Sequence, residues 1–181
     1  MCGDDGKAAL HKAKIMREWA LSKGIFVLHS LADVHNEPRS TARGSERMTR
    51  LLEMVKANPE IAHEAPEVAA SASTADGKAA ELVVKKQLGN ISGLKSKGAM
   101  EALRERGIKS LIVCGLSTSG AALRTSIGAT DEGFVVTVIE DGCADRVEGL
   151  HEMLVKHAMP QSTHVCTAEQ FMQEFEGGKQ A

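Results

Sequence analysis

Residues 110–145 read SLIVCGLSTSGAALRTSIGATDEGFVVTVIEDGCAD, and this stretch decides the fold. SLIVCG (110–115) is apolar without alternation, which marks a strand covered on both faces, as in a parallel sheet. LSTSG then turns directly into a helix, AALRTSIGATDE (121–132), and FVVTVIED (134–141) is a second buried strand. A strand, a tight turn and a helix start form a ready anion cradle, because the first N–H groups of a helix are unpaired and partly positive. Ser117, Thr118 and Ser119 can cap that helix or touch a ligand there.

Working outward, the same alternation continues. Upstream, residues 5–23 have apolar residues at helical spacing and Gly24 as a stop; IFVLHS (25–30) reads as a strand. Residues 36–48 read as a surface loop and 47–56 as a short helix. The Ala/Ser/Pro-rich stretch 57–80 lacks a period and is expected to be the least ordered internal part. ELVVKK (81–86) is a strand, AMEALRER (99–106) a helix. Downstream, a helix is expected near 147–157 and a last strand at THVCT (163–167), followed by a short helix. The sum is an α/β fold: a three-layer α/β/α sandwich with a mostly parallel central sheet. The length of 181 residues fits a single domain, expected over 1–176 with a flexible tail at 177–181.

Composition excludes several function classes. Lys plus Arg number 22 against 24 Asp plus Glu, so a net charge of −2 gives no attraction to nucleic acid or an anionic membrane. No apolar run approaches the roughly 20 residues of a membrane helix. Four Phe, one Trp and no Tyr leave little for stacking on bases. Cys2, Cys114, Cys143 and Cys166 match neither a disulfide framework nor a zinc site, so a reducing, cytoplasmic setting is expected.

The block 107–145 resembles the core of the isochorismatase-like cysteine hydrolases, whose nucleophile turn follows a strand as G-[ILV]-x-T-x-x-C-V. Gly115, Leu116, Thr118, Leu123, Thr125, Ala129, Val136, Asp141 and Ala144 fall in step. GIFVLHS, ELVVKK and THVCTAEQF resemble the family's second, third and last strands, so the resemblance covers roughly residues 8–175. It implies a Rossmann-like sheet, no cofactor, and a catalytic Cys, Asp and Lys. The lysine position falls on Lys86, or on Lys85 with a register slip of one. The nucleophile position falls on Ala121, which has no nucleophile. The aspartate belongs to a first strand ahead of the first helix, and MCGD is too short to supply one. A sheet with a gap is therefore expected. The resemblance further implies an oxyanion-binding set at Ser117, Thr118 and Ala121, with the amides of Ser117 and Ala121 as donors. It also implies a non-proline cis peptide at Leu116–Ser117 and a homo- or hetero-oligomer.

Other residues read as structural. Cys114 is expected buried and inert, Cys143 reads as an inert thiol after the next strand, Cys166 lies in the last strand, and Cys2 is expected in a loose terminus. Asp33 and His35 have a local metal-ligand spacing without a third ligand, so no metal is expected. His29 is expected to satisfy a backbone carbonyl. Arg124 reads as a solvated or interface charge, and His151 and His157 read as no ligands. Ser119 as a substitute nucleophile lacks an adjacent base in the motif. Three functional readings result: an inactive hydrolase that binds a small carboxylate or amide or assembles with a partner; a hydrolase of altered mechanism; and a truncated gene product.

Overall fold

The computed structural model describes residues 2–36, 45–71 and 80–178. Helices and strands alternate as α1 (Gly3–Ser22), β1 (Val27–Asp33), α2 (Ser45–Ala57), β2 (Glu81–Gln87), α3 (Ala99–Glu105) and β3 (Ser110–Leu116). They continue as α4 (Leu123–Asp131), β4 (Val135–Ala144), α5 (Leu150–Met153), β5 (His164–Cys166) and α6 (Ala168–Gly178). Every strand pair is parallel. The α/β reading of the sequence therefore holds, while its boundaries shift by a few residues.

The strands form two sheets, β1–β2 and β3–β4–β5. No strand among the described residues pairs with both β1 and β3, so the break falls between the two halves. β3 is thus an edge despite its apolar sequence. The expected burial of Cys114 is corrected: the residue is exposed, but its thiol is ringed by protein. That desolvation, reinforced by the Asp141 charge, pushes its pKa up to about 11.

Helices hold the halves together. On one face Met16 of α1 packs with Ile139 of β4 and Ala168 of α6. Arg17, one residue on, forms a bidentate pair with Glu81 of β2, at 2.7 Å for each bond. Trp19 adds edge-on contacts to Phe171 and Phe175 at centroid distances of 5.6 and 5.0 Å. On the other face the Gly93 N–H donates to Thr125 Oγ1 of α4 at 2.7 Å. A Cβ on Gly93 would lie 3.2 Å from both Ser30 of β1 and that Thr125 oxygen, so glycine permits the contact.

The main core lies between β3–β4 and the helices α3 and α4, with Val136, Val138, Leu103, Ala129 and Met159 buried. Each fully buried valine, leucine or methionine contributes on the order of 1.5–3 kcal/mol. Ile139 points to the opposite face, as alternation along β4 requires. Asp141, within β4, accepts the Ala168 N–H at 2.8 Å and pairs with Lys12 at 3.1 Å, which fixes the start of α6 and the flank of α1.

Several local expectations are corrected. α1 begins at Gly3, and Cys2 is not loose: it is buried at the N-cap, with its thiol 3.9 Å from the Ala144 carbonyl. The helix expected near 147–157 is present with shifted bounds: α5 starts at Leu150, and after Met153 the helical backbone continues in a widened form over Leu154–Ala158 before a tighter turn that contains Pro160. α6 runs through Gly177 and Gly178, which composition had placed in the tail. In the stretch 57–80, Pro59–Ala62 forms a helical turn and Ser71 is hydrogen-bonded. Residues 37–44, 72–79 and 179–181 lie outside the described residues, with parts of the expected loop, unordered stretch and tail. No helix among the described residues is long and apolar enough to cross a membrane.

Candidate functional site

The site is built where β3 becomes α4. Gly115 has φ +131°, a value that side-chain-bearing residues rarely adopt, and it aims the end of β3 into the turn. The Leu116–Ser117 peptide is cis. Ser117 is extended, and its carbonyl accepts two N–H groups, from Gly120 at 3.1 Å and Ala122 at 3.3 Å. This widened turn covers Thr118–Ala122 before α4 starts at Leu123. A Cβ at Gly120 would sit 2.7 Å from Ser117 Oγ, so only glycine lets that hydroxyl lie across the turn.

Two residues from beyond β4 clamp the turn, and the second corrects the sequence reading. His151 of α5 is engaged: its Nδ1 lies 2.9 Å from Thr118 Oγ1, and Thr118 is 0% exposed. Ser119 does have an acid beside it, since Asp145 Oδ2 accepts the Ser119 N–H at 2.7 Å while Oδ1 accepts the Val147 N–H at 3.2 Å. Burial pulls the Asp145 pKa upward, but bonds from the Ser119 side chain and backbone and from the Val147 and Arg146 backbones outweigh it. The carboxyl is held below its ordinary value. The anion cradle expected from the turn thus already faces one of the protein's own carboxylates. Asp145 directly follows the strand-end Ala144, and an acid at a strand end beside a helix start was the available signal.

Of the two lysine candidates, Lys86 points inward and Lys85 is exposed. The Lys86 Nζ lies 3.4 Å from both the carbonyl and the hydroxyl of Ser30. Ser30 Oγ in turn lies 2.8 Å from Ser96 Oγ. Burial lowers the Lys86 pKa. These hydrogen bonds tie Lys86 to β1, and none among the described residues ties it to the turn. Ala121, half-buried on the turn, presents a methyl group.

Beside Asp145 lies an open depression of about 400 Å³, lined by Cys2, Gly3, Asp4, Asp5, Asp145, Arg146 and Glu148. Four of its side chains are carboxylates against one guanidinium, so the space next to the turn is acidic. The cysteines further inside stay protonated at neutral pH. Cys143 is pushed up to about 12, chiefly by burial.

The remaining candidates have structural surroundings. His29 does not meet a backbone carbonyl: its ring lies between the carboxylates of Glu64 and Glu81. Asp33 accepts the His35 N–H at 3.0 Å within its own turn, and no group of three or more metal-ligating side chains occurs among the described residues. Arg124 is exposed.

With this geometry, the likenesses to known proteins can be placed. The cysteine hydrolase from Pseudomonas syringae pv. phaseolicola superimposes with a TM-score of 0.72 at 15% identity, over 96% of this chain and 82% of that one. N-carbamoylsarcosine amidase from Thermoplasma acidophilum gives 0.67 at 14% identity, over 91% and 85% of the two chains. Nicotinamidase PncA from Bacillus subtilis gives 0.63 at 18%, over 92% and 88%. At these identities the likeness establishes the fold. An uncharacterized isochorismatase family protein of Escherichia coli O157:H7, YecD, is 30% identical over 70 residues. That segment spans 39% of this chain and 37% of the relative. The isochorismatase domain model matches residues 2–170, and the chain belongs to the isochorismatase family.

Proposed function

We propose that this chain is a non-catalytic member of its family, one that keeps the nucleophile turn as a binding element and has lost its thiol chemistry. The observation that carries this reading is Ala121 at the nucleophile position of an otherwise formed turn. Nothing nearby substitutes for the missing thiol. Cys114 and Cys143, with pKa values near 11 and 12, supply almost no thiolate at neutral pH. Thr118 is enclosed and cannot meet a substrate. Ser119 has Asp145 beside it, but a carboxylate whose pKa is held down is a weak base and leaves the hydroxyl unactivated.

The same electrostatics choose between the two ligand classes expected of the turn. A carboxylate would approach Asp145 and the acidic depression against like charge, whereas a neutral amide would not. A small amide is therefore the ligand class proposed here, with assembly into an oligomer as the companion role. The test uses nicotinamide and N-carbamoylsarcosine, the substrates named by two of the structural relatives. Ammonia release should equal that of buffer. Turnover that disappears in Lys86→Ala would overturn the non-catalytic reading. Ligand-observed NMR should show nicotinamide binding ahead of nicotinate; the reverse order would overturn the choice of a neutral ligand.

A further inference from the structure

A chain of charged groups crosses the β1–β2 sheet, away from the turn. His29 on β1 has a side chain only 5% exposed. Its Nδ1 lies 2.9 Å from Glu64 Oε1 and its Nε2 lies 3.0 Å from Glu81 Oε1. Ionised carboxylates only accept hydrogen bonds, so both ring nitrogens must carry protons for both bonds to exist. The ring in this arrangement is an imidazolium. A neutral ring would turn a lone pair toward one carboxylate.

The two carboxylates are not equally dependent on His29. Glu81 also accepts Arg17 Nε and Nη2 at 2.7 Å each and the Ser71 N–H at 2.9 Å. Arg17 further donates to Ser71 Oγ at 2.9 Å. Among the described residues, the hydrogen-bond partner of Glu64 is His29. Residues 63–71 are therefore pinned to the sheet at two points. The Ser71 end is held by groups that do not titrate near neutrality. The Glu64 end is held by a group that does.

We propose that residues 63–71 form a strap latched at Glu64 by protonated His29, and that the Glu64 end releases when His29 loses its proton. The charged groups around His29 are Glu81 from β2, Arg17 from α1 and Glu64 from the strap itself, with Glu18 farther along α1 facing Arg17. Burial works against the charged ring, but the hydrogen bond and charge of Glu64, then those of Glu81, outweigh it, so the His29 pKa is raised above 6.5. The latch is closed below the raised value and open above it. Because Glu81 keeps Arg17 and Ser71, opening is one-sided: the strap swings about Ser71 and uncovers the β1 floor at His29.

Hydrogen exchange of the intact chain tests this. The Val68 and Ala69 amides, whose short turn onto Ala65 frays once the freed strap loses its support from the sheet, should exchange at least tenfold faster at pH 9 than at pH 6 after correction for intrinsic rates. The Ser71 amide and those of β4 should keep their protection at both values. Glu64→Gln, at a side chain 19% exposed, should move the midpoint of opening and the NMR-measured His29 pKa downward together. His29→Gln should abolish the pH dependence. Equal strap protection at pH 6 and pH 9 in the natural chain would overturn the latch. So would a pH dependence that survives His29→Gln with β4 still protected, or an unmoved midpoint in Glu64→Gln.

Discussion

Thr118→Val isolates what holds the turn in place. Thr118 is fully enclosed, and its hydroxyl is 2.9 Å from His151 Nδ1. Valine keeps the branched shape, so the substitution removes a hydrogen bond and opens almost no cavity. An ordinary buried hydrogen bond contributes about 0.5–1.5 kcal/mol, and leaving a partner unsatisfied costs about 1–3 kcal/mol. His151 is only half-buried and can regain water, so the expected cost is about 1–2 kcal/mol. For a chain of this size about 2–4 °C of Tm accompanies each kcal/mol, giving a fall of about 2–8 °C. Urea unfolding of the single variants and of Thr118→Val with His151→Phe completes a double-mutant cycle. The coupling should be at least about 0.5 kcal/mol, as for residues in direct contact. Thr130→Val, which loses a 2.7 Å bond to the Ile127 carbonyl on the α4 surface, serves as control and should stay within about 0.5 kcal/mol of the natural chain. A Thr118→Val variant as stable as that control, or additive behaviour with His151→Phe, would refute the clamp.

Gly142→Ala should destabilise by about 1–3 kcal/mol in urea unfolding, since its Cβ would lie 3.0 Å from Cys114 Cβ and 3.2 Å from Ile139 Cγ2 with little room to yield. Maleimide labelling read by peptide mass spectrometry should find Cys114 slow at pH 7 despite its exposure, with a rate rising about tenfold per pH unit toward its pKa near 11; fast labelling at pH 7 would contradict the desolvated thiol. Glu81 is held at about 2 against an ordinary 4.5, mainly by Arg17 and the Ser71 N–H working against burial. Its folded pKa is depressed, so the stability it contributes is present above pH 4.5 and is lost as pH falls toward 2. Glu81→Gln should be less stable than the natural chain at pH 7, with the difference shrinking between pH 5 and pH 3.

The fold was legible where hydrophobic burial dominates. β3, β4 and the turn between β3 and α4 follow from apolar runs broken by Gly and Ser, and local chemistry leaves few alternatives there. What escaped the sequence depends on which groups become neighbours across long separations. Asp145 and His151 lie 26 and 33 residues from Ser119 and Thr118, their partners in the turn. His29 looks like any strand histidine until Glu64 and Glu81 arrive from 35 and 52 residues away. The burial of Cys114 was misjudged for a related reason. Its neighbours in sequence are apolar, but exposure is set by what packs over its face of β3, which local pattern cannot report.

The turn forms with alanine at 121 because its supports do not involve that side chain. Its shape rests on the glycine dihedral at 115, the doubly accepting Ser117 carbonyl and the close approach allowed at Gly120. Thr118 and Ser119 are then clamped by His151 and Asp145. Under the non-catalytic reading proposed above, a methyl at Ala121 in place of a thiol leaves each of those contacts in place, so selection on the fold alone would not oppose it. The acid at 145 does carry a functional cost. A negative group hydrogen-bonded to the turn competes with any anion that forms there, because two like charges a few ångströms apart repel strongly in a partly buried site. A turn that must stabilise an oxyanion is poorly served by such a neighbour, whereas one that only positions a neutral ligand is not hindered. Asp145→Asn should therefore raise the affinity of the turn for nicotinate relative to nicotinamide. An unchanged ratio would mean that the Asp145 charge does not govern what the turn accepts.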